Sequence, residues 1–236
     1  MAWILRATCL EFAAGWISRR YRRSKRLQSM RRYWPKPHRL LTMPREKARE
    51  LLRNGIEPWL TLYHWDLPQR LEDEGGWLNR KTVDAFVAYA EVVGAALGDR
   101  VKNWITHNEP WVASHLGYGT GLFAPGIADF GAALTAAHHI LLSHGRAVPA
   151  LRAQSPAAAA GIALDSRPSQ PASPAPGDVA ANQVHDGFRN RWFFDPVFGK
   201  GYPADMVDLV AERRVFGGSA MPFIRTGDEQ QIGAAN

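Results

Sequence analysis

The chain has little cysteine and no long apolar run. Its 236 residues contain one cysteine, Cys9, so no disulfide can form between two of them, and no Cys/His cluster has the spacing of a zinc site. No apolar run approaches the ~18 residues that indicate a membrane-spanning helix. We therefore expect a cytoplasmic protein that uses no metal or other cofactor and has no membrane partner.

Acidic residues are scarce at one end of the chain. Residues 1–43 contain eleven Arg and Lys against a single acid, Glu11, a net charge of +10, whereas residues 44–236 have a net charge of −3. The overall charge of +7 therefore belongs to this basic leader, and a nucleic-acid partner is not expected for the rest. Two origins stay open for the leader: a frame error in the gene, or a genuine basic tail that targets the protein or binds a partner.

A pair of polar residues ends the apolar run within residues 104–113. The run predicts a buried parallel strand that delivers Asn108 and Glu109 to its carboxyl end, where Pro110 stops the strand. In a barrel of parallel strands, that edge is where chemistry takes place. A carboxyl group beside tryptophans suits general acid and base catalysis, although a solvated carboxylate at a plain strand exit would give the same tripeptide.

A second strand exit of the same kind lies within residues 56–68. Here apolar residues lead into His64, Trp65 and Asp66. Aromatic faces stack on the apolar face of a pyranose, and imidazole and amide groups can hydrogen-bond sugar hydroxyls, so the two exits together suit a carbohydrate. A histidine with a purely structural role at this strand end is the alternative.

These segments resemble glycoside hydrolase family 1, the β-glucosidase family, from about residue 46 to about residue 228. The order and spacing of several short motifs carry the resemblance. The matching segments are residues 55–58, 61–68, 75–77, 103–110, 117–118, 124–126, 136–139, 144–145 and 195–203.

The resemblance implies a retaining β-glycosidase on a (β/α)8 TIM barrel, with two catalytic glutamates and no metal. Glu109 is similar to the acid/base of the family, and His64 and Asn108 to residues that bind the terminal sugar. Trp65 is expected to line the same pocket. The implied substrate is a β-glucoside or oligosaccharide. His138 and His139 match a helix of the family and are expected to pack.

The chain also departs from the family. The nucleophilic glutamate, which the family carries in a Thr-Glu-Asn-Gly strand end, has no counterpart, and the first two strands are not recognisable. We therefore expect an α/β fold that is a partial, unclosed barrel of about strands three to five. Its divisions would be the leader (1–43), the partial barrel (44–228) and a polar tail (229–236). Such a chain is expected to be inactive alone.

Two other functions remain open. One is a 6-phospho-β-glycosidase or another barrel glycosidase, and the other is a non-catalytic fragment or a basic-tailed binding protein. Glu57 and Asp66 are poor substitutes for the nucleophile, since Glu57 precedes its strand and Asp66 is expected to hold the loop. The sequence does not define the sugar preference or an oligomeric state.

Sequence patterns also predict the elements. We expect strands over residues 59–64, 101–108 and 159–164, helices over residues 44–53, 82–97 and 132–151, and a glycine-rich loop over residues 117–126. A further helix from Asp178 should direct Val184, Phe188 and Trp192 to a core and stop in a turn at residues 195–196. No ordered structure is expected after Arg225.

Overall fold

The centre of the fold is an open, fully parallel sheet. A computed structural model describes residues 3–6, 42–219 and 221–235. The sheet has the order β1-β2-β3-β4. The strands are β1 (Trp3–Arg6), β2 (Pro58–Tyr63), β3 (Asn103–Asn108) and β4 (Ala159–Ala163). Parallel strands need crossover connections, and helices supply them after β2 and β3, as expected for a segment of a (β/α)8 barrel.

Strand β1 is an addition to the three strands that the sequence predicts. It lies within residues 1–43 and pairs in parallel with β2, from Trp3 opposite Pro58 to Arg6 opposite Thr61. The expected partial, unclosed barrel with its three predicted strands is confirmed, and β1 adds a fourth strand at the edge of the sheet. A four-residue strand offers almost no periodic pattern, and nothing around it matches a family motif, so the sequence did not reveal it.

The three helices predicted at residues 44–53, 82–97 and 132–151 are present, and their ends lie within three residues of the predicted ones. None of the helices in the described part of the chain is long and apolar enough to cross a membrane. The α-helices are α1 (Thr42–Arg53), α2 (Gln69–Glu72), α3 (Lys81–Leu97), α4 (Phe130–Gln154), α5 (Pro176–Asp186), α6 (Trp192–Val197), α7 (Ala204–Glu212) and α8 (Asp228–Gly233). Short 3-10 and π-helical segments lie at Gly76–Leu78, Val112–Gly119 and Gly187–Arg191.

The chain divides into two compact units. The first comprises the residues up to Asn108 together with Arg146–Ala163, and it contains the sheet and α3. The predicted apolar stripe of α3 is buried, and the hydroxyl of Tyr89 donates to the carbonyl of Leu62 at 3.3 Å. Trp77 is also buried, and its indole N–H donates to the hydroxyl of Tyr63 at 3.1 Å. These bonds fix the helical layer on the last residues of β2.

The second unit comprises Glu109–Gly145 and the residues from Leu164 onward. Two local predictions are corrected here. The loop expected from Gly117 begins only after a π-helical segment that ends at Gly119. The turn expected at Asp195 and Pro196 is also wrong, because Pro196 lies inside α6 as the fifth of its six residues.

The end of the chain is ordered, contrary to the expectation from its polarity. Helix α8 buries Asp228 and Ile232 almost completely. The imidazole of His138 lies between the hydroxyl of Tyr202 and the carboxylate of Asp228, at 3.0 Å from each. That carboxylate also accepts the N–H of Arg225 at 2.8 Å. A buried hydrogen-bond network therefore docks α8, and the packing role expected for His138 agrees with its position.

Gly145 provides a test of this docking. A Cβ atom there would lie 2.2 Å from the carbonyl oxygen of Gln231 and 2.6 Å from Cα of Ile232. Gly145→Ala should therefore lower the free energy of unfolding by about 2 kcal/mol or more, as overpacking does. In Gly177→Ala, the control, the new methyl group meets nothing within 4 Å. The control should be neutral or gain up to ~1 kcal/mol. Equal urea midpoints for the two variants would contradict the docking of α8.

Candidate active site

The carboxyl ends of β2 and β3 bring three of the predicted site residues together. Tyr63 pairs with His107, so His64 and Asn108 follow at the same level of two adjacent strands. The indole N–H of Trp65 donates to the carbonyl of Asn108 at 2.9 Å and ties the two strand ends to each other. All three site side chains are half-buried, which leaves part of each accessible to a ligand.

The loop after β2 is held by its own polar residue. The backbone N–H of His64 donates to the carboxylate of Asp66 at 3.3 Å, and the rings of His64 and Trp65 lie 4.9 Å apart. Asp66 thus stabilises the turn, as the sequence suggested. Glu57 is exposed and stands before the first residue of β2, at the opposite end of the strand from His64.

A bulge precedes Asn108. Ile105 pairs with Gly161 but Asn108 pairs with Ala163, so β3 has one residue more than β4 over this interval. The hydroxyl of Thr106 donates to the carbonyl of Gly161 at 3.1 Å and keeps the strands joined there. Bulges of this kind redirect a side chain at a strand end.

A residue just after each of β2 and β3 has a backbone conformation that L-residues rarely adopt. Trp65 has φ 75° and Glu109 has φ 48°, and neither is glycine. Each such residue costs roughly 1–3 kcal/mol, and such residues cluster at functional sites. Glu109 opens the second unit, where its side chain is half-buried and its carbonyl accepts the N–H of Ala113 at 3.1 Å.

A layer of buried rings supports the strand ends. The ring of His107 stacks on Phe86 at 4.3 Å and meets Tyr63 and Trp77 edge-on at 5.4 Å and 5.5 Å. His107 is fully buried. It is therefore a packing residue, although it stands next to Asn108 in the sequence.

In the second unit, an arginine that the sequence did not single out contacts Trp111. The guanidinium carbon of Arg189 lies 3.9 Å from the ring centroid of Trp111, a cation–π geometry. Arg189 also forms an ion pair with Asp165 and donates to its backbone carbonyl at 3.2 Å. The side chain of Arg189 is only 3% exposed, whereas that of Asp165 is 21% exposed, so the ion pair is partly buried. The sequence pattern around Arg189 predicted only apolar core positions, such as Phe188 and Trp192, and so did not indicate that an arginine would be buried there.

His115 also contacts Trp111. Its ring stacks on Trp111 at 5.2 Å with an interplanar angle of 11°, and its Nδ1 lies 3.1 Å from the hydroxyl of Ser114. Burial, together with the positive charge of Arg189, lowers the pKa of His115 to about 3. A neutral imidazole therefore packs on Trp111, six residues after Glu109.

The described residues therefore offer two kinds of group to a ligand. The ends of β2 and β3 present imidazole, indole and amide groups, and Glu109 adds a carboxyl group at the strained exit of β3. Within the described part of the chain, no three His, Cys, Asp or Glu residues are grouped as a metal site requires. The arrangement suits hydrogen bonding, ring stacking and proton transfer.

The low pKa of His115 predicts a loss of stability in acid. The unfolded chain takes up a proton near the ordinary pKa of 6.5, whereas the folded chain does so only at about 3. Stability should therefore fall as the pH drops below 6.5, by ~2 kcal/mol between about pH 7 and about pH 5. His115→Gln should remove this component from urea unfolding curves. His185→Gln, at an exposed histidine, should keep it, and equal pH dependence in both variants would refute the assignment.

Comparisons with known proteins agree with this geometry. The family model described as Glycosyl hydrolase family 1 matches residues 45–236. β-Glucosidase A of Acetivibrio thermocellus is 46% identical over 165 residues, which are 70% of this chain and 37% of that protein. The 6-phospho-β-glucosidase GmuD of Bacillus subtilis is 42% identical over 161 residues, 68% of this chain and 35% of that protein.

A solved β-glucosidase from Exiguobacterium marinum superposes with a TM-score of 0.78 and 41% identity, covering 84% of this chain and 44% of that one. The chain thus spans between a third and a half of the length of these relatives. Its open parallel sheet with crossover helices is part of their TIM barrel. On the match to the family model and the identity to its curated members, the chain belongs to glycosyl hydrolase family 1.

Proposed function

We propose that this chain carries the acid/base part of a retaining β-glucosidase, which hydrolyses terminal β-linked sugars. One observation carries the proposal: a glutamate with left-handed backbone geometry follows Asn108 at the exit of β3, while Trp65 from the neighbouring strand holds the carbonyl of Asn108. The curated relatives named as β-glucosidases support the same chemistry.

Each residue has a defined part in this proposal. His64 and Asn108 hydrogen-bond the hydroxyls of the terminal sugar, and Trp65 contacts its apolar face. Glu109 donates a proton to the leaving oxygen and later takes one from the attacking water. The sequence includes no metal-site motif, and the mechanism uses none.

Retaining hydrolysis also needs a second carboxylate about 5 Å from the first, which attacks the sugar and forms a covalent intermediate. The 236 residues contain no match to the Thr-Glu-Asn-Gly strand end. Glu57 lies at the wrong end of β2, and Asp66 is engaged by the N–H of His64. We therefore propose that these residues alone do not complete the reaction.

A chimera tests this assignment. The part of this chain from residue 45 onward replaces the matching segment of the Acetivibrio thermocellus relative, so that the relative supplies the strands before and after it. We expect the chimera to hydrolyse phenyl β-glucoside, and Glu109→Gln to lower kcat/KM by ~10²–10⁴-fold. The decrease in kcat/KM caused by Glu109→Gln should be much smaller with 2,4-dinitrophenyl β-glucoside, because that leaving group needs no proton.

The matched control is Glu57→Gln, which changes an exposed glutamate at the amino end of β2. It should leave both substrates unaffected. Full activity of the Glu109→Gln chimera would remove Glu109 from the mechanism. Rapid hydrolysis by the unfused chain would refute the proposal that it needs a second carboxylate from elsewhere.

The 6-phospho-β-glucosidase among the relatives keeps a second substrate class open. Both enzyme classes would bind the sugar at the same strand ends, but the two sugars differ in the 6-phosphate group. A comparison of the binding of the two sugars therefore distinguishes the classes. The measurement is NMR titration of the chain with methyl β-glucoside and with its 6-phosphate. A clear preference for the phosphorylated sugar that weakens with added salt would favour the 6-phospho class. Binding of neither sugar would favour a non-catalytic role.

We also propose that the protein works in the cytoplasm. The support is its cysteine content, since Cys9 has no second cysteine within the sequence to pair with. Cell fractionation tests this proposal, and recovery in a secreted fraction would contradict it.

A further inference from the structure

The second unit contains an apolar cavity that the proposed glycosidase chemistry does not use. Its volume is about 280 Å³, and its walls come from Phe130 at the start of α4, from Val184 and Phe188, and from Leu209 and Val210 in α7. Binding sites for small molecules typically have volumes from ~300 Å³ upward, and this cavity is close to that lower limit. It therefore has room for one ring with a short substituent.

Two of the walls are aromatic. Phe130 and Phe188 meet edge-to-face, with ring centroids 5.1 Å apart and an interplanar angle of 85°. Phe188 also contacts the buried Trp192 at 5.3 Å, which fixes its position. An aromatic ring in the cavity could therefore adopt offset or edge-to-face contacts with rigid partners.

Among the described residues that line the cavity, Arg213 is the cation. Arg213 directly follows α7, its side chain is exposed, and it forms no ion pair with an acid of the described residues. A guanidinium group presents a planar fork that matches a carboxylate. One positive charge balances a monoanion, and the described residues of the lining include no second cation for a phosphate dianion.

We propose that this cavity binds a single-ring aromatic carboxylate, with the ring against Phe130 and Phe188 and the carboxylate on Arg213. The carbonyl end of α7 at Glu212 has partial negative charge, which disfavours an anion. Arg213 must therefore provide all of the attraction for the carboxylate. Without it, the site should prefer a neutral ring.

The probes are cinnamate and its neutral amide, cinnamamide, titrated into the full chain and followed by ligand-observed NMR. The unmodified chain should bind cinnamate at least ~5-fold more tightly than cinnamamide at low salt, and added salt should reduce that ratio. Arg213→Met keeps the aliphatic stem. It should reverse the preference, whereas Arg214→Met, at the adjacent exposed arginine outside the lining, should leave it unchanged.

Val184→Phe fills the cavity and should abolish binding of both probes. Circular dichroism of each variant shows whether the fold is kept. The ratio of the affinities for cinnamate and cinnamamide is also measured in the unmodified chain, so this test remains even if a variant fails to fold. Equal affinity for the two probes, no binding of either, or an unchanged preference in Arg213→Met would each overturn the proposal. Because none of these variants alters His64, Asn108 or Glu109, the outcome is independent of the glycosidase assignment.

Discussion

The hydrogen bond from the indole of Trp65 to the carbonyl of Asn108 is the contact on which the site depends. Parallel pairing of β2 and β3 already brings the two strand ends to one level, with Tyr63 opposite His107. Strand pairing alone would not fix the conformation and path of the loop after β2. The indole bond, at 2.9 Å, fixes that path against the last residue of β3. The imidazole and the amide of the site then share one edge of the sheet.

Strain is the second element of this arrangement. Trp65 and Glu109 both have positive φ, a conformation that the surrounding packing must hold at a cost of roughly 1–3 kcal/mol each. The support is visible in each unit. In the first unit, the buried ring of His107 stacks on Phe86 next to the end of β3, and in the second unit Arg189 and His115 both contact Trp111, two residues after Glu109. Rigid support of this kind lets a side chain keep one orientation, which the proton transfer that we propose for Glu109 requires.

Much of this could be predicted from the sequence. Strands β2 to β4 and helices α3 and α4 follow from apolar periodicity, and Pro110 indicated where β3 ends. The order of α8 could not be predicted, because its anchors are single residues, Asp228 and Ile232, in a polar stretch. The contact of Arg189 with Trp111 also gave no signal, since a pairing between distant segments leaves no local pattern. Strand β1 was too short to recognise.

Solvent exchange of the Trp65 indole proton tests the central claim most directly. If the indole donates to the carbonyl of Asn108 and couples the exits of β2 and β3, its exchange in NMR should be slowed many-fold relative to a free indole. A Trp65 indole proton that exchanged at the rate of a solvent-exposed tryptophan would contradict the account.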